Sequence, residues 1–240
     1  MTSRGLIVPM RSEAFALLGR RGWRSEGDFL RRELRLPDGT AVACICSGAG
    51  PESAEIAAER LLESGVTRLV TAGTAGGLHP ALRTGDLVVA DRVFVQKEDG
   101  LLPVGETAPG PARRPTGPDG PRILRGAVVT CSVVIETPAE KARLYRRTGA
   151  LAVDMESAGV VRAATRHGAA CVMLRAVCDT AAETLSREVL DTIDMQGRIH
   201  AAALARLLLR RPALIPPLLR LSRAFRIAMG TLSKTLPSAL

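Results

Sequence analysis

The chain predicts an α/β fold, a three-layer α/β/α sandwich, and three observations carry that prediction. Short apolar runs without polar alternation, such as Gly5-Leu6-Ile7-Val8 and Cys171-Val172-Met173-Leu174, read as strands buried on both faces. Segments of helical period stand between them. Glycine-rich or acidic turns follow several strands, where an open α/β sheet builds its ligand crevice.

The elements follow in order. After Gly5–Val8, Pro9-Met10-Arg11-Ser12-Glu13 turns into an amphipathic helix through Leu18. Ala41–Cys46 is a strand ending at Ser47-Gly48-Ala49-Gly50, and Pro51 opens a helix to about Glu63, proline being suited to a first turn. Strands over 68–71 and 87–95 bracket the turn Ala72-Gly73-Thr74-Ala75-Gly76-Gly77 and the pair Gly85-Asp86. The stretch 96–122, rich in Pro and Gly and without a period, reads as a flexible surface excursion. A strand over 127–135, a charged helix from Pro138, a short strand at 150–153, a helix from Glu156 to His167 and a last core strand over 169–177 follow. Beyond Asp179, helix is expected over 186–210. Residues 1–211 form the main domain, and 212–240 an apolar, basic helical tail broken by Pro216-Pro217, helical from Leu218.

Composition narrows the functions. At 240 residues and 46% hydrophobic the chain can bury a large core, but only 2% of residues are aromatic. A net charge of +9 without interleaved aromatics argues against nucleic acid and better suits an anionic surface. Five cysteines and no secretory signal fit free thiols in a reducing cytoplasm. No Cys/His cluster completes a metal site, so neither metal nor cofactor is expected. The tail packs its apolar face on the domain or lies on a membrane surface.

Asp179, Glu13 and Glu156 are the acidic residues at turns after strands. Each has a plain structural alternative: a cap or loop aspartate, and first-turn glutamates favoured by a helix dipole. Cleavage of an N-ribosidic bond needs such a set. It takes an acid for the departing base, a carboxylate for the nucleophile and a carboxylate for the ribose hydroxyls. Partial burial would raise the pKa of Asp179 and favour its protonated form.

The blocks Gly5–Glu13, Ser47–Gly50, Thr71–Gly77, Gly85–Val89, Val153–Glu156 and Arg175–Asp179 occur in the order seen in the purine nucleoside phosphorylase superfamily. The chain resembles its methylthioadenosine/adenosylhomocysteine nucleosidase branch. The resemblance implies a central mixed sheet, a homo-oligomer and an adenine-releasing enzyme. Carried over by position, Asp179 protonates the base and Glu13 activates water. Glu156 binds the ribose hydroxyls, Met155 packs beneath the sugar, Thr74 stands near the nucleophile, and Gly76 is a further substrate-binding position. Val133, Val134 and Ile135 frame the base. Val134 stands where the nucleosidases commonly have an aromatic residue, and Cys178 where they have serine. Arg11 and Arg4 are candidates for holding phosphate, so water and phosphate both stay open as nucleophiles.

The run Arg211–Leu221 is similar to the hopanoid-associated phosphorylase (adenosylhopane nucleosidase) branch. That likeness implies an adenine nucleoside with a large apolar 5′ group, and a cytoplasmic enzyme peripheral on the inner membrane face through 212–240. A small-substrate nucleosidase is the alternative within enzymes. A non-catalytic nucleoside-binding or membrane-interface protein is the alternative outside them.

Overall fold

The computed structural model describes residues 3–97, 100–111, 121–194 and 197–240. The sheet is mixed. Its strands are β1 Ser3–Val8, β2 Arg24–Glu26, β3 Phe29–Arg35, β4 Ala41–Cys46, β5 Val66–Gly77, β6 Leu87–Lys97, β7 Gly100–Glu106, β8 Ile123–Thr130, β9 Ala152–Asp154 and β10 Ala170–Asp179. β1 runs parallel to β4 and β5, and β5 runs parallel to β10. β6 is antiparallel to β10 and parallel to β8, while β9 joins β8 back to the end of β5. The sheet therefore curls shut around β5, and the carboxyl ends of β1, β5, β9 and β10 converge.

The helices are α1 Arg11–Leu18, α2 Pro51–Glu63, α3 Pro138–Thr148, α4 Ser157–Arg166, α5 Arg187–Leu190, α6 Ala201–Arg210 and α7 Ile215–Ala239. On one face of the sheet Ala54, Ala57, Ala58 and Leu61 of α2 pack with Ala158, Val161 and Ala164 of α4. On the other face Ala228, Met229, Leu232 and Leu236 of α7 join Ala14 of α1 and Leu6, Val70 and Val172 of the strands. That makes the expected three layers. Small side chains let α2 and α4 approach closely: a Cβ on Gly159 would stand 1.9 Å from the Pro51 carbonyl oxygen. This contact locks the starts of the two helices together beside the converging strand ends.

The structure departs from the sequence reading at several places: β5 runs on through the expected turn at 72–77, the strand expected over 127–135 is β8 ending at Thr130, and four further regions differ. First, 96–122 is not a single excursion. β7 pairs antiparallel with β6 over residues 100–106, with Pro103 at a register shift on the sheet's edge, where a missing N–H is tolerated. Residues 98–99 and 112–120 of that stretch lie outside the described residues. Second, the hairpin of β2 and β3 falls in 19–40, for which no element was expected. Third, the helix expected over 186–210 is two helices, α5 and α6, separated by a loop.

Fourth, the tail at 212–240 packs its apolar face on the domain, one of the two expected arrangements, but its helix starts before Pro216-Pro217 and not at Leu218. A 3-10 turn at Pro212–Leu214 leads into α7, whose first turn holds both Pro216 and Pro217. From Ala224 onward α7 buries eight residues against the sheet. At about 25 cal/mol per Å² of apolar surface, burial of Leu232 and Leu236 alone is worth roughly 3–6 kcal/mol. The first half of α7, like the whole of α6, stays outside the core.

All five cysteines are free and buried. Burial pushes the thiols of Cys44, Cys171 and Cys178 up to about 12, and those of Cys46 and Cys131 up to about 11.

Candidate active site

Glu13 sits in the first turn of α1, just past the end of β1. Its side chain turns back to accept hydrogen bonds from the Met10 N–H at 3.1 Å and from both the N–H and the hydroxyl of Thr74 at 2.7 Å. These donors fix the carboxylate over β5. Burial pushes its pKa up, and the Thr74 and Met10 bonds and the charge of Arg175 oppose that rise. Glycines make the approach possible: a Cβ on Gly73 would lie 3.3 Å from Glu13 Oε2 and 3.1 Å from Pro9 Cδ.

Glu156 belongs to the turn between β9 and α4, and Gly50 donates its N–H to Oε1 at 3.2 Å. Its pKa is raised to about 8, first by burial and then by repulsion from Asp154, with Arg175 pulling the other way. Asp154 itself is structural. It accepts from the Thr130 hydroxyl at 2.8 Å and from the Ser157 backbone, and it pairs with Arg175 Nε at 2.6 Å.

Arg175, in the middle of β10, is fully buried. Its Nη1 donates to Thr71 and to the Leu174 carbonyl, while Nη2 has no partner among the described residues. Burial works against its charge, but Asp154, Glu156 and Glu13 around it raise its pKa. An unpartnered buried guanidinium nitrogen amid three carboxylates is a donor left over for something that enters the site. The sequence held a signal for this residue, a lone arginine inside an apolar strand, because a buried charge must be paired.

Asp179 ends β10 opposite Gly76, after a register shift at Val177. A Cβ on Gly76 would stand 3.2 Å from Asp179 Oδ2 and 3.2 Å from Val153 Cγ1, so Gly76 lets the carboxyl lie flat over β5. Burial raises the Asp179 pKa, as expected. An unexpected cation opposes it: Lys141 of α3 reaches Oδ2 with its Nζ at 2.5 Å. Lys141 was legible only as one charge in a charged helix, since the run Glu140-Lys141-Ala142-Arg143 does not mark which of them turns inward.

The other expected residues divide. Met155 is half-buried in the turn between Asp154 and Glu156, and Thr74 and Gly76 lie on β5 between Glu13 and Asp179. Val133 is exposed, and Val134 and Ile135 are half-buried. These three line a cavity of about 260 Å³ with Gln96, Glu140, Arg143 and Arg147, which includes none of the three carboxylates. Arg11, at the start of α1, lies within electrostatic reach of the Cys46 thiol. Arg4 is not brought to the site. It lies at the opposite end of β1, beside Val42 and Arg68, where its charge acts on Asp38.

A family model described as the phosphorylase superfamily matches residues 3–210. The chain belongs to the phosphorylase superfamily. It is an enzyme of that superfamily's nucleosidase and nucleoside phosphorylase kind. It is 34% identical over 163 residues to a futalosine hydrolase of Streptomyces coelicolor, covering 60% of this chain and 68% of that one. It is 29% identical over 212 residues to a 5′-methylthioadenosine/S-adenosylhomocysteine nucleosidase of Mycobacterium bovis, covering 72% and 81%. Among solved structures, the Neisseria meningitidis 5′-methylthioadenosine/S-adenosylhomocysteine nucleosidase shares the fold with a TM-score of 0.69 at 18% identity, covering 100% of this chain and 98% of that one. The Helicobacter pylori futalosine hydrolase shares it with a TM-score of 0.62 at 20% identity, covering 75% and 88%.

Proposed function

We propose that the protein cleaves the N-ribosidic bond of an adenine nucleoside carrying a large apolar 5′ group of the adenosylhopane type. One observation carries the chemistry: Glu13 and Asp179, both buried, lie against Gly73 and Gly76 at the end of β5, and buried Glu156 is within electrostatic reach of Glu13. As the bond between C1′ and the base breaks, its electron pair leaves with the base, and Asp179 donates a proton to the base's imidazole nitrogen. Water attacks the oxocarbenium-like C1′ from the opposite side and passes its proton to Glu13. Glu156 accepts from the ribose hydroxyls, Met155 packs beneath the sugar, and Val133, Val134 and Ile135 frame the base. The unpartnered Arg175 Nη2 supplies a donor beside Glu13. A carboxylate at the nucleophile position repels phosphate and favours water, although Arg11 remains a candidate phosphate ligand.

The 5′ group is read from the segment after Asp179. Gly197 stands against the Met10 side chain, which brings that segment beside the start of α1. The segment then continues into α6 and α7, where Leu209, Ile215 and Leu219 are exposed. From residue 197 to 240 the chain carries Arg198, Arg206, Arg210, Arg211, Arg220, Arg223, Arg226 and Lys234, and no Asp or Glu. Leucines among arginines suit an anionic lipid surface. No helix among the described residues is long and apolar enough to cross a membrane. A cytoplasmic homo-oligomer resting on the inner membrane face completes the proposal.

Adenine release from 5′-methylthioadenosine and 5′-octylthioadenosine tests it, in buffer with and without phosphate. We expect higher kcat/KM for the octyl compound and free sugar in both buffers. Equal or lower kcat/KM for the octyl compound favours the small-substrate nucleosidase, which the curated relatives support. Release from neither compound ends both readings. Deleting residues 212–240 is unsuitable, because the second half of α7 is core. Leu209→Ser with Leu219→Ser changes only the exposed face, and should weaken sedimentation with phosphatidylglycerol vesicles.

A further inference from the structure

Lys141 has no exposed surface, and its ammonium is hydrogen-bonded three times over. It donates to Asp179 Oδ2 at 2.5 Å, to the Thr180 carbonyl at 2.8 Å and to the Glu183 carbonyl at 2.9 Å. Three acceptors require three hydrogens, which the ammonium has and the neutral amine lacks. Neighbouring structure builds this geometry. Pro138 and the reciprocal Thr137–Glu140 bonds fix the start of α3, so that Lys141 and Leu144 face inward. Across from it, Glu183 accepts from the Thr180 N–H and hydroxyl at 2.7 and 3.0 Å, closing a turn that aims two carbonyls at the lysine.

We propose that Lys141 is a positioning residue that tethers Asp179 and holds it as a carboxylate while the site is empty, thereby setting the upper pH at which Asp179 can act. This rests on the reading of Asp179 as the acid. In each turnover Asp179 takes a proton from solvent and passes it to the departing base, and the ion pair with Lys141 re-forms afterwards. The charged and titratable groups facing Asp179 are Lys141 from α3, Glu183 across its own loop, and Cys178 before it in β10; Glu13 acts on Cys178 from α1. Lys141 is the only cation in that set among the described residues, and it favours ionisation together with a weaker backbone hydrogen bond at Asp179.

The test is the pH profile of kcat/KM for 5′-methylthioadenosine and 5′-octylthioadenosine in Lys141→Gln and Lys141→Met, with folding checked by circular dichroism. Gln keeps donors for the two carbonyls without the charge. An opposite charge this close moves a carboxyl pKa by about 1–3 units, so the alkaline limb should rise by roughly one pH unit or more in both variants. A lowered kcat with an unmoved alkaline limb assigns Lys141 a structural role and overturns the proposal. Difference infrared spectra of wild type minus Asp179→Asn at neutral pH give an answer even if the lysine variants misfold. A carboxylate band lost in the variant supports the ion pair, and a protonated carboxyl band overturns it. Near-normal adenine release by Asp179→Asn would instead overturn the reading of Asp179 as the acid, a distinct failure.

Discussion

Glu13 and Asp179 lie along the glycine-rich end of β5, against Gly73 and Gly76, and they are held in different ways. Three neutral donors clamp Glu13: one hydroxyl and two backbone N–H groups. A buried ammonium clamps Asp179. Burial raises both pKa values. Neutral donors fix geometry and shift ionisation modestly, whereas a cation fixes geometry and competes directly for the ionisation state. The two carboxyls thus differ in environment more than in depth.

The largest expected effect is on Asp179. Replacing it with Asn keeps the shape but removes the proton, and should lower kcat by about 10²–10⁴, read as adenine release at saturating substrate. A smaller loss than in Glu13→Gln would reverse the ranking of the two sides. Next comes Gly76→Ala, which thrusts a methyl against Asp179 Oδ2 and Val153 without touching Glu13. It should cost about tenfold or more in kcat, since small misplacements of a reacting group are expensive. Equal activity would mean that the Asp179 side of the site tolerates displacement.

Thr74→Val then probes the other side, leaving the backbone bond but removing the hydroxyl that lowers the Glu13 pKa. The acidic limb of kcat/KM should move up by a few tenths of a unit to one unit while the alkaline limb stays. Movement of both limbs would couple the two carboxyls.

The smallest effect concerns stability. The folded pKa of Glu156 is about 8, above the ordinary glutamate value of 4.5. Between those values the folded protein holds a proton that the unfolded chain releases. Stability therefore falls as pH rises through this window, by at most about 1.4 kcal/mol per unit. Glu13 and Asp179, also raised, add with the same sign. Glu156→Gln should flatten the decline of Tm between pH 5 and 8, and an unchanged slope would place Glu156 in a more solvated setting.

Much of this was legible before any coordinates. Gly5–Val8, Val42–Cys46 and Cys171–Val177 are buried on both faces, and such strands advertise themselves by continuous apolar runs. The converging acids could be read because each follows such a strand. β7 could not, because Gly100-Leu101-Leu102-Pro103-Val104-Gly105 combines turn residues with an edge position where proline does no harm. β5 runs on through the glycines to Gly77 instead of stopping at Thr71, since pairing with β10 and β9 supplies the order that glycine propensity withholds. Arg4 was misplaced for want of direction: adjacency to a strand does not say which end of the sheet a residue occupies. Lys141 depends on contacts distant in sequence, which local periodicity does not encode.

The five thiols have a practical consequence. None is exposed, and a thiol whose pKa stands near 11 or 12 offers almost no nucleophile at neutral pH. Alkylating reagents can therefore react only as fast as the molecule breathes. Cys178 beside the Asp179 loop and Cys171 within the sheet would time local and whole-chain opening separately, without any engineered label.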